Sequence, residues 1–294
     1  MSASLLAGYS SPLFEVWAVV ISLHDYHVHS TYSGDGKASI GAMCARAVEL
    51  GIAEIAFTEH VDNNPLDQCF GRFDPDVFSR EIDEAREQFG DGLHILKGVE
   101  VGEPHLYPNE VEELLTKHTF DLVIGAVHWV GDTIISVDAF SHLDVDALYH
   151  RYFDEVLRMA EQSDFDVLVH LDLVKRFGVK YLGPFQVAPF RDQVQAILRA
   201  IIRRGMALEV NTSGLRQPCE EPFPGREILA LYRELGGHLI TIGSDAHRSE
   251  DVGSGLAEAA ELVWAAGFDS ITTYRGRVPS PHECIGGGDS LPVS

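Results

Sequence analysis

The feature that most constrains this chain is a rhythm. Short runs rich in β-branched residues alternate with helix-length amphipathic stretches along nearly the whole sequence. That alternation is the pattern of repeated βα units and a parallel sheet. It predicts seven strands, at Leu23 to His29, Glu54 to Thr58, His94 to Val101, Leu122 to His128, Asp166 to Leu171, Ala207 to Asn211 and Leu239 to Gly243. Helical patterns lie between them at Ile40 to Leu50, Asp76 to Phe89, Asp144 to Gln162, Phe190 to Arg203, Gly225 to Leu235 and Asp251 to Ala266, with Gly51, Gly90, Gly205, Gly236 and Gly267 placed as helix stops. An open doubly wound sheet and a closed barrel both accommodate this order, and periodicity alone does not choose between them.

The 294 residues, 45% of them hydrophobic, suffice for one sizeable core. No Pro/Ser-rich linker, composition shift or fixed repeat divides the chain, and only Gly286 to Gly288 is low in complexity. Residues 23–294 therefore read as one domain, preceded over 1–22 by an N-terminal extension of uncertain order. With 22 Lys+Arg against 45 Asp+Glu, the formal net charge of -23 argues against a phosphate-neutralising surface, so no nucleic acid is expected as partner. The four cysteines, at 44, 69, 219 and 284, form no C-x-x-C pair and read as reduced thiols, which fits the cytoplasm. The run from Leu13 to Leu23 is interrupted by Glu15, preceded by no Lys or Arg, and too short for a bilayer, so neither a signal peptide nor a membrane span is expected. The oligomeric state is left open.

Chemistry gathers at the strand ends. His27 and His29 stand two apart on the first strand, so both imidazoles leave one face and can reach one ion, and Asp35 follows in a Gly-flanked turn. Alone, such a pair is as readily two ordinary hydrogen-bonded strand histidines. Recurrence changes that reading. The second strand ends in Thr58-Glu59-His60, the third in Gly98-Val99-Glu100, the fourth in Ala126-Val127-His128, the fifth in Leu168-Val169-His170, and the seventh in Gly243-Ser244-Asp245-Ala246-His247. Six of the 14 histidines, with Asp35, Glu100 and Asp245, thus sit at or just beyond C-terminal strand ends, where α/β folds assemble their sites. So many imidazoles and carboxylates on one rim call for divalent ions as compensation. Glu59 and Asp62, flanking His60, are ambiguous between a site role and ordinary loop carboxylates.

As a set, H-x-H-x-x-x-S-x-D-G from His27 to Gly36, T-E-H at Thr58, G-V-E at Gly98, V-H-W at Val127, H-L-D-L at His170, N-T-S-G-L-R at Asn211 and G-S-D-A-H at Gly243 resemble the polymerase and histidinol phosphatase (PHP) superfamily. Within it, the chain most resembles the monofunctional histidinol-phosphate phosphatases. The resemblance runs from about residue 23 to 250. It implies a distorted (β/α)7 TIM-like barrel with three divalent transition-metal ions, of Zn, Mn or Fe, on its C-terminal face. Carried over by position, one ion takes His27, His29, Glu100 and Asp245; a second shares Glu100 and takes His128 and His170; a third takes Asp35, His60 and His247. The 24 or so residues before the first motif are a departure, because family members usually begin just ahead of it.

The resemblance implies hydrolysis of L-histidinol phosphate, a small phosphorylated substrate, to L-histidinol and phosphate in histidine biosynthesis. Three carboxylates against three divalent ions leave a locally cationic site, suited to a phosphate dianion, with a bridging hydroxide as nucleophile. No G-x-x-x-x-G-K-[ST] loop is present for a nucleoside triphosphate. Arg176, after the fifth strand, and Arg216, closing Asn211 to Arg216, are candidates for transition-state charge, with Arg248 a further one; each could equally be a solvated surface residue. His60, Asp245 and His247 are possible contributors to leaving-group protonation, a role left open because a bound ligand is not a free acid. Phe14, Trp17, Phe57, Phe120 and Trp264 read as core aromatics, Trp129 as a candidate pocket wall, and the acidic stretches Glu81 to Glu87 and Glu110 to Glu113 as solvated faces. Two other readings stand beside the first: a PHP phosphoesterase acting on nucleotides or another small phosphate ester, and a non-catalytic metal-binding module.

Overall fold

Seven parallel strands carry the architecture in a computed structural model that describes residues 23–283. The extension over 1–22, with Phe14 and Trp17, and the glycine tail beyond Cys284 lie outside the described residues. Four strands run first: β1 (His24–Val28), β2 (Glu54–Val61), β3 (His94–Gly102) and β4 (Leu122–Ala126). A short antiparallel hairpin follows, β5 (Trp129–Val130) with β6 (Thr133–Ile134), then β7 (Val167–Leu168), β8 (Ala207–Asn211) and β9 (Ile240–Gly243). A second hairpin, β10 (Ser270–Arg275) with β11 (Val278–Glu283), ends the described chain. The sheet order is β1-β2-β3-β4-β7-β8-β9. It curls until the segment after β9 meets β1: the Asp245 amide donates to the His27 carbonyl at 2.7 Å and the His29 amide to that of Ala246 at 2.8 Å. The barrel alternative is the one realised, and the closing bonds lie among the residues singled out for chemistry.

Side-chain alternation divides each strand between two cores. Ala56 on β2, Leu96 on β3, Leu122 and Ile124 on β4, and Ala207 on β8 fill the barrel interior, while Ile55, Val99, Val123 and Leu208 face the surrounding helices. Strand β1 breaks this alternation. Asp25 lies opposite Ile55 but Val28 opposite Phe57, so β1 carries one extra residue there. This irregularity lets Tyr26 enter the interior core while Val28, an even number of residues on, joins the outer one. His27 and His29 are thereby aimed at the rim.

The helices are α1 (Ile40–Glu49), α2 (Pro75–Phe89), α3 (Pro108–Lys117), α4 (Val137–His142), α5 (Val145–Gln162), α6 (Lys175–Leu182), α7 (Arg191–Arg204), α8 (Arg226–Glu234) and α9 (Leu256–Ala265). Local chemistry sets their ends. Ser39 accepts the Ala42 amide ahead of α1, Asp74 caps α2 with Pro75 in the first turn, and Gly205 ends α7 in the left-handed region at φ 70°. Helices α3, α4 and α6 and both hairpins were not foreseen from the sequence. The acidic α3 buries only Val111, so it carries almost no apolar period, and α4 is six residues long. Phe57 and Phe120 are core residues as expected, but Trp264 is 58% exposed on α9; its apolar neighbours Ala260 and Val263 take the buried face instead.

The hairpin β10–β11 plugs the N-terminal end of the barrel. Tyr274 enters the interior core, its hydroxyl donating to the Asp166 carbonyl at 3.2 Å, and Arg275 pairs with buried Glu54. At the opposite end, the turn from β7 into α6 is held by a buried ion pair, Lys175 Nζ to Asp172 Oδ2 at 2.8 Å. Lys175 also donates to the Pro222 carbonyl at 2.8 Å, tying that turn to the loop after β8. Burial keeps the Asp172 carboxyl above its ordinary range despite Lys175, so the pair gives position more than net stability. Lys175→Met, which strands Asp172 without a counter-charge, is expected to cost about 3–5 kcal/mol in denaturant unfolding, and Asp172→Asn combined with Lys175→Met to recover much of it. Equal stability of the single and double variants would contradict this account.

Candidate metal centre

The C-terminal ends of the strands bring all nine expected side chains onto one rim. Four of them form a compact group. His27 Nε2 lies 2.9 Å from His29 Nε2, and Glu100 Oε2 stands 3.5 Å and 3.4 Å from these two nitrogens. Asp245 Oδ1 is 3.7 Å and 3.6 Å from the same pair. Ligands about 2.0–2.1 Å from a tetrahedral ion are separated by about 3.3 Å, so these edges match the shell of one ion. The other Glu100 oxygen, Oε1, turns away to His170 Nε2 at 2.9 Å and His128 Nε2 at 3.6 Å. A third group forms where Asp35 Oδ2 approaches His247 Nε2 at 3.3 Å and His60 Nε2 at 3.7 Å. Buried Asp35 Oδ1 has no hydrogen-bond partner, as suits an oxygen that awaits a cation. Imidazole nitrogens and carboxylate oxygens are a donor set for divalent transition metals, and the fit holds.

Electrostatics follow from this crowding. Burial pushes the Glu100 and Asp245 carboxyls up, but the imidazoles of His27 and His60 outweigh it for Glu100 and hold it well below the ordinary range. For Asp245, His27 and His247 do the same and bring it to about 2. Burial, with His60 and His247 adding to it, drives His29 well below its ordinary value, so its ring stays neutral as a metal ligand must. Two residues of the rim sit in left-handed backbone without being glycine: His170 at φ 28° and Asp245 at φ 53°. Such conformations cost about 1–3 kcal/mol each and persist only where surrounding contacts impose them. Gly243, just before the Asp245 turn, is required for a different reason, since a Cβ there would fall 2.4 Å from that of His27.

A pocket of about 180 Å3 opens over the cluster, lined by Asp35, His60, Glu100, His128, His170, Asp245 and His247 together with residues from outside it. Arg176 lines it, with its buried Nε unpartnered and its guanidinium 5.2 Å from the Phe177 ring. Arg216 does not line it. Its Nη2 donates to the Ser244 carbonyl at 2.7 Å and its Nε faces Asp251 at 3.5 Å, which leaves the buried Nη1 unpartnered. Arg248 is exposed. Asp62 is buried in the pocket wall, and Trp129, rather than lining it, braces the wall by donating from Nε1 to Asp67 at 2.8 Å. Glu59 is fully buried beside Ser30 and Ser33, away from the pocket.

Sequence reasoning passed over Glu209 and Glu103. Glu209 Oε1 sits 2.7 Å from His27 Nδ1, and Glu103 accepts the amide of Trp129 at 2.9 Å, with burial raising its carboxyl to about 7. The signal for Glu209 was present: an inward-facing carboxylate in the middle of a buried strand, two residues before Asn211.

The family model of the PHP domain matches residues 25–213. The histidinol-phosphatase of Lactococcus lactis is 29% identical, over 86% of this chain and 94% of its own length. A probable histidinol-phosphatase of Thermotoga maritima is 30% identical, over 84% of this chain and 94% of its own. Among solved structures, the histidinol phosphate phosphatase of Lactococcus lactis, complexed with zinc, L-histidinol and phosphate, superposes with a TM-score of 0.82 at 27% identity, covering 88% of this chain and 99% of that one.

Because Glu100 presents one oxygen to each of two groups, Glu100→Gln is expected to lower bound metal more than His60→Ala does. Elemental analysis of the purified variants measures this, and full metal retention by Glu100→Gln would remove Glu100 as the shared group.

Proposed function

The chain belongs to the PHP domain family, and from that premise we propose that it is a metal-dependent phosphomonoesterase hydrolysing L-histidinol phosphate to L-histidinol and phosphate. The observation that carries this reading is the convergence of a metal-ligand rim and Arg176 on one pocket, in a barrel that superposes on a histidinol phosphate phosphatase holding zinc, L-histidinol and phosphate. The reaction belongs to histidine biosynthesis, and unpaired Cys44, Cys69 and Cys219 support a reducing, cytoplasmic setting.

In this proposal three divalent ions, of Zn, Mn or Fe, occupy the rim. His27, His29, Glu100 and Asp245 hold the first; Glu100, His128 and His170 the second; Asp35, His60 and His247 the third. When bound, such ions acidify water and neutralise phosphoryl charge. The chain's own residues do the rest. The Arg176 guanidinium, on the pocket wall, receives phosphoryl oxygens as negative charge develops, while Arg216, held outside the pocket by the Ser244 carbonyl, adds positive charge from behind the rim. The turn stapled by Asp172 and Lys175 fixes both Arg176 and the His170 backbone, so substrate meets a preorganised site. Asp62 and Asp67 make the rest of the pocket acidic, which suits a substrate whose alcohol portion bears an ammonium.

Two measurements test the proposal. Gently purified protein is expected to hold close to three transition-metal ions per chain; a content at or below one, with full activity in chelator, refutes the trinuclear reading. In a phosphate-release panel, histidinol phosphate is expected to exceed nucleoside monophosphates and sugar phosphates in kcat/KM. Arg176→Ala should lower that value by about 10²- to 10³-fold with metal content unchanged. A preference for a nucleotide of tenfold or more would assign the protein to the nucleotide-directed members of the family.

A further inference from the structure

We infer that Glu209 and Glu59, two buried carboxylates behind the H-x-H pair, are positioning residues that hold His27 and His29 as Nδ1–H tautomers and so turn both Nε2 lone pairs toward an ion. The inference rests on the reading of His27 and His29 as metal ligands. Its physical content lies one layer outward, in where each proton must sit.

Glu209 accepts from every side. Its Oε2 takes the Asn211 Nδ2 amide at 3.1 Å and the His170 backbone amide at 3.2 Å, and its Oε1 faces His27 Nδ1 at 2.7 Å. The orientation of Asn211 is fixed independently, because the Ser213 amide donates to its Oδ1 at 3.0 Å and leaves the Nδ2 side for Glu209. A carboxylate has only acceptor oxygens, so the hydrogen on the 2.7 Å contact belongs to His27 Nδ1. In the neutral ring that a metal ligand requires, the other nitrogen then carries the lone pair.

The second histidine reaches the same state through a hydroxyl. Glu59 takes the Ser30 amide at 3.1 Å, the Ser30 hydroxyl at 2.6 Å and the Ser33 hydroxyl at 2.5 Å. Ser33 commits its single proton to Glu59, so its oxygen accepts from its other neighbours, the His60 amide at 3.0 Å and His29 Nδ1 at 2.9 Å. His29 is therefore also an Nδ1–H tautomer. With both rings neutral, the two Nε2 atoms, 2.9 Å apart, and the facing oxygens of Glu100 and Asp245 are four acceptors turned toward one point, an arrangement that a bound cation stabilises.

The two carboxylates also reach beyond the pair. Glu209 anchors the strained His170 backbone and, through Asn211 Nδ2 at 3.3 Å from Asp245 Oδ2, a third ligand position. Glu59 fixes the His60 amide through Ser33. Partners of this kind typically contribute 10- to 100-fold to metal affinity.

The test uses zinc-loaded protein with 15N-labelled histidine. Ring 15N–1H spectra of the wild type are expected to show exchange-protected Nδ1–H protons on His27 and His29. Chelator competition should show zinc binding weakened 10- to 100-fold in Glu209→Gln and in Ser33→Ala, because a glutamine cannot accept from three donors at once and an alanine removes the relay. His27→Ala is the control and should lose zinc at least as severely. Should His27→Ala bind zinc like the wild type, the ligand reading fails and this inference with it. Should His27→Ala lose zinc while Glu209→Gln and Ser33→Ala keep wild-type affinity, the inference alone is overturned. An Nε2–H proton on either ring of the wild type overturns it too, and that observation needs no variant to fold.

Discussion

Imidazoles and carboxylates crowded at one end of a barrel repel or strand one another unless a cation compensates them, and most of the structure around the rim holds them there. The closing bonds of the barrel join His27 to Asp245 and His29 to Ala246, so completing the sheet and assembling the candidate centre are one event. The left-handed backbone at His170 and Asp245 is a cost that contacts elsewhere must offset. Metal binding to such a rim is coupled to folding, because the ligands meet only in the closed barrel.

The two ends of the barrel illustrate opposite solutions to burial. At the N-terminal end the interior is apolar, filled by Ala56, Leu96, Leu122, Ile124 and Ala207 and sealed by Tyr274, and the polar atoms there find hydrogen bonds or ion pairs: Tyr26 and Arg275 with Glu54, Arg277 with Asp166. At the C-terminal end the interior is polar and its atoms face one another in groups shaped for ions, with Asp35 Oδ1 left unpartnered. A sealed floor under an open, charged mouth directs ligands to one face, the side on which barrels of this kind carry their chemistry.

Residues one layer out decide how well that mouth is organised. The Asp172–Lys175 pair fixes the turn that carries Arg176, and Trp129 braces Asp67 in the pocket wall. These contacts join segments far apart in sequence, 62 residues for Trp129 and Asp67 and 182 for His27 and Glu209, which is why no local pattern announces them.

Strand periodicity and residue type at strand ends are local properties, so the seven strands and the strand-end places of His27, His29, Asp35, His60, Glu100, His128, His170, Asp245 and His247 were legible in the chain before any fold was known. The sequence also carried the family resemblance, since the motifs are short and ordered. Tertiary structure alone decided the rest. The extra residue in β1 that sends Tyr26 inward and Val28 outward is a matter of pairing with β2. Arg176 reaches the pocket whereas Arg216 turns to Ser244 and Asp251, although both follow a strand in the same way. Trp264, hydrophobic by composition, is left exposed because α9 packs its alanine and valine face. Glu209 and Glu59 look in the sequence like any acidic residues of an acidic chain, and only the fold, by surrounding each with donors and excluding water, makes them acceptors for the histidine pair.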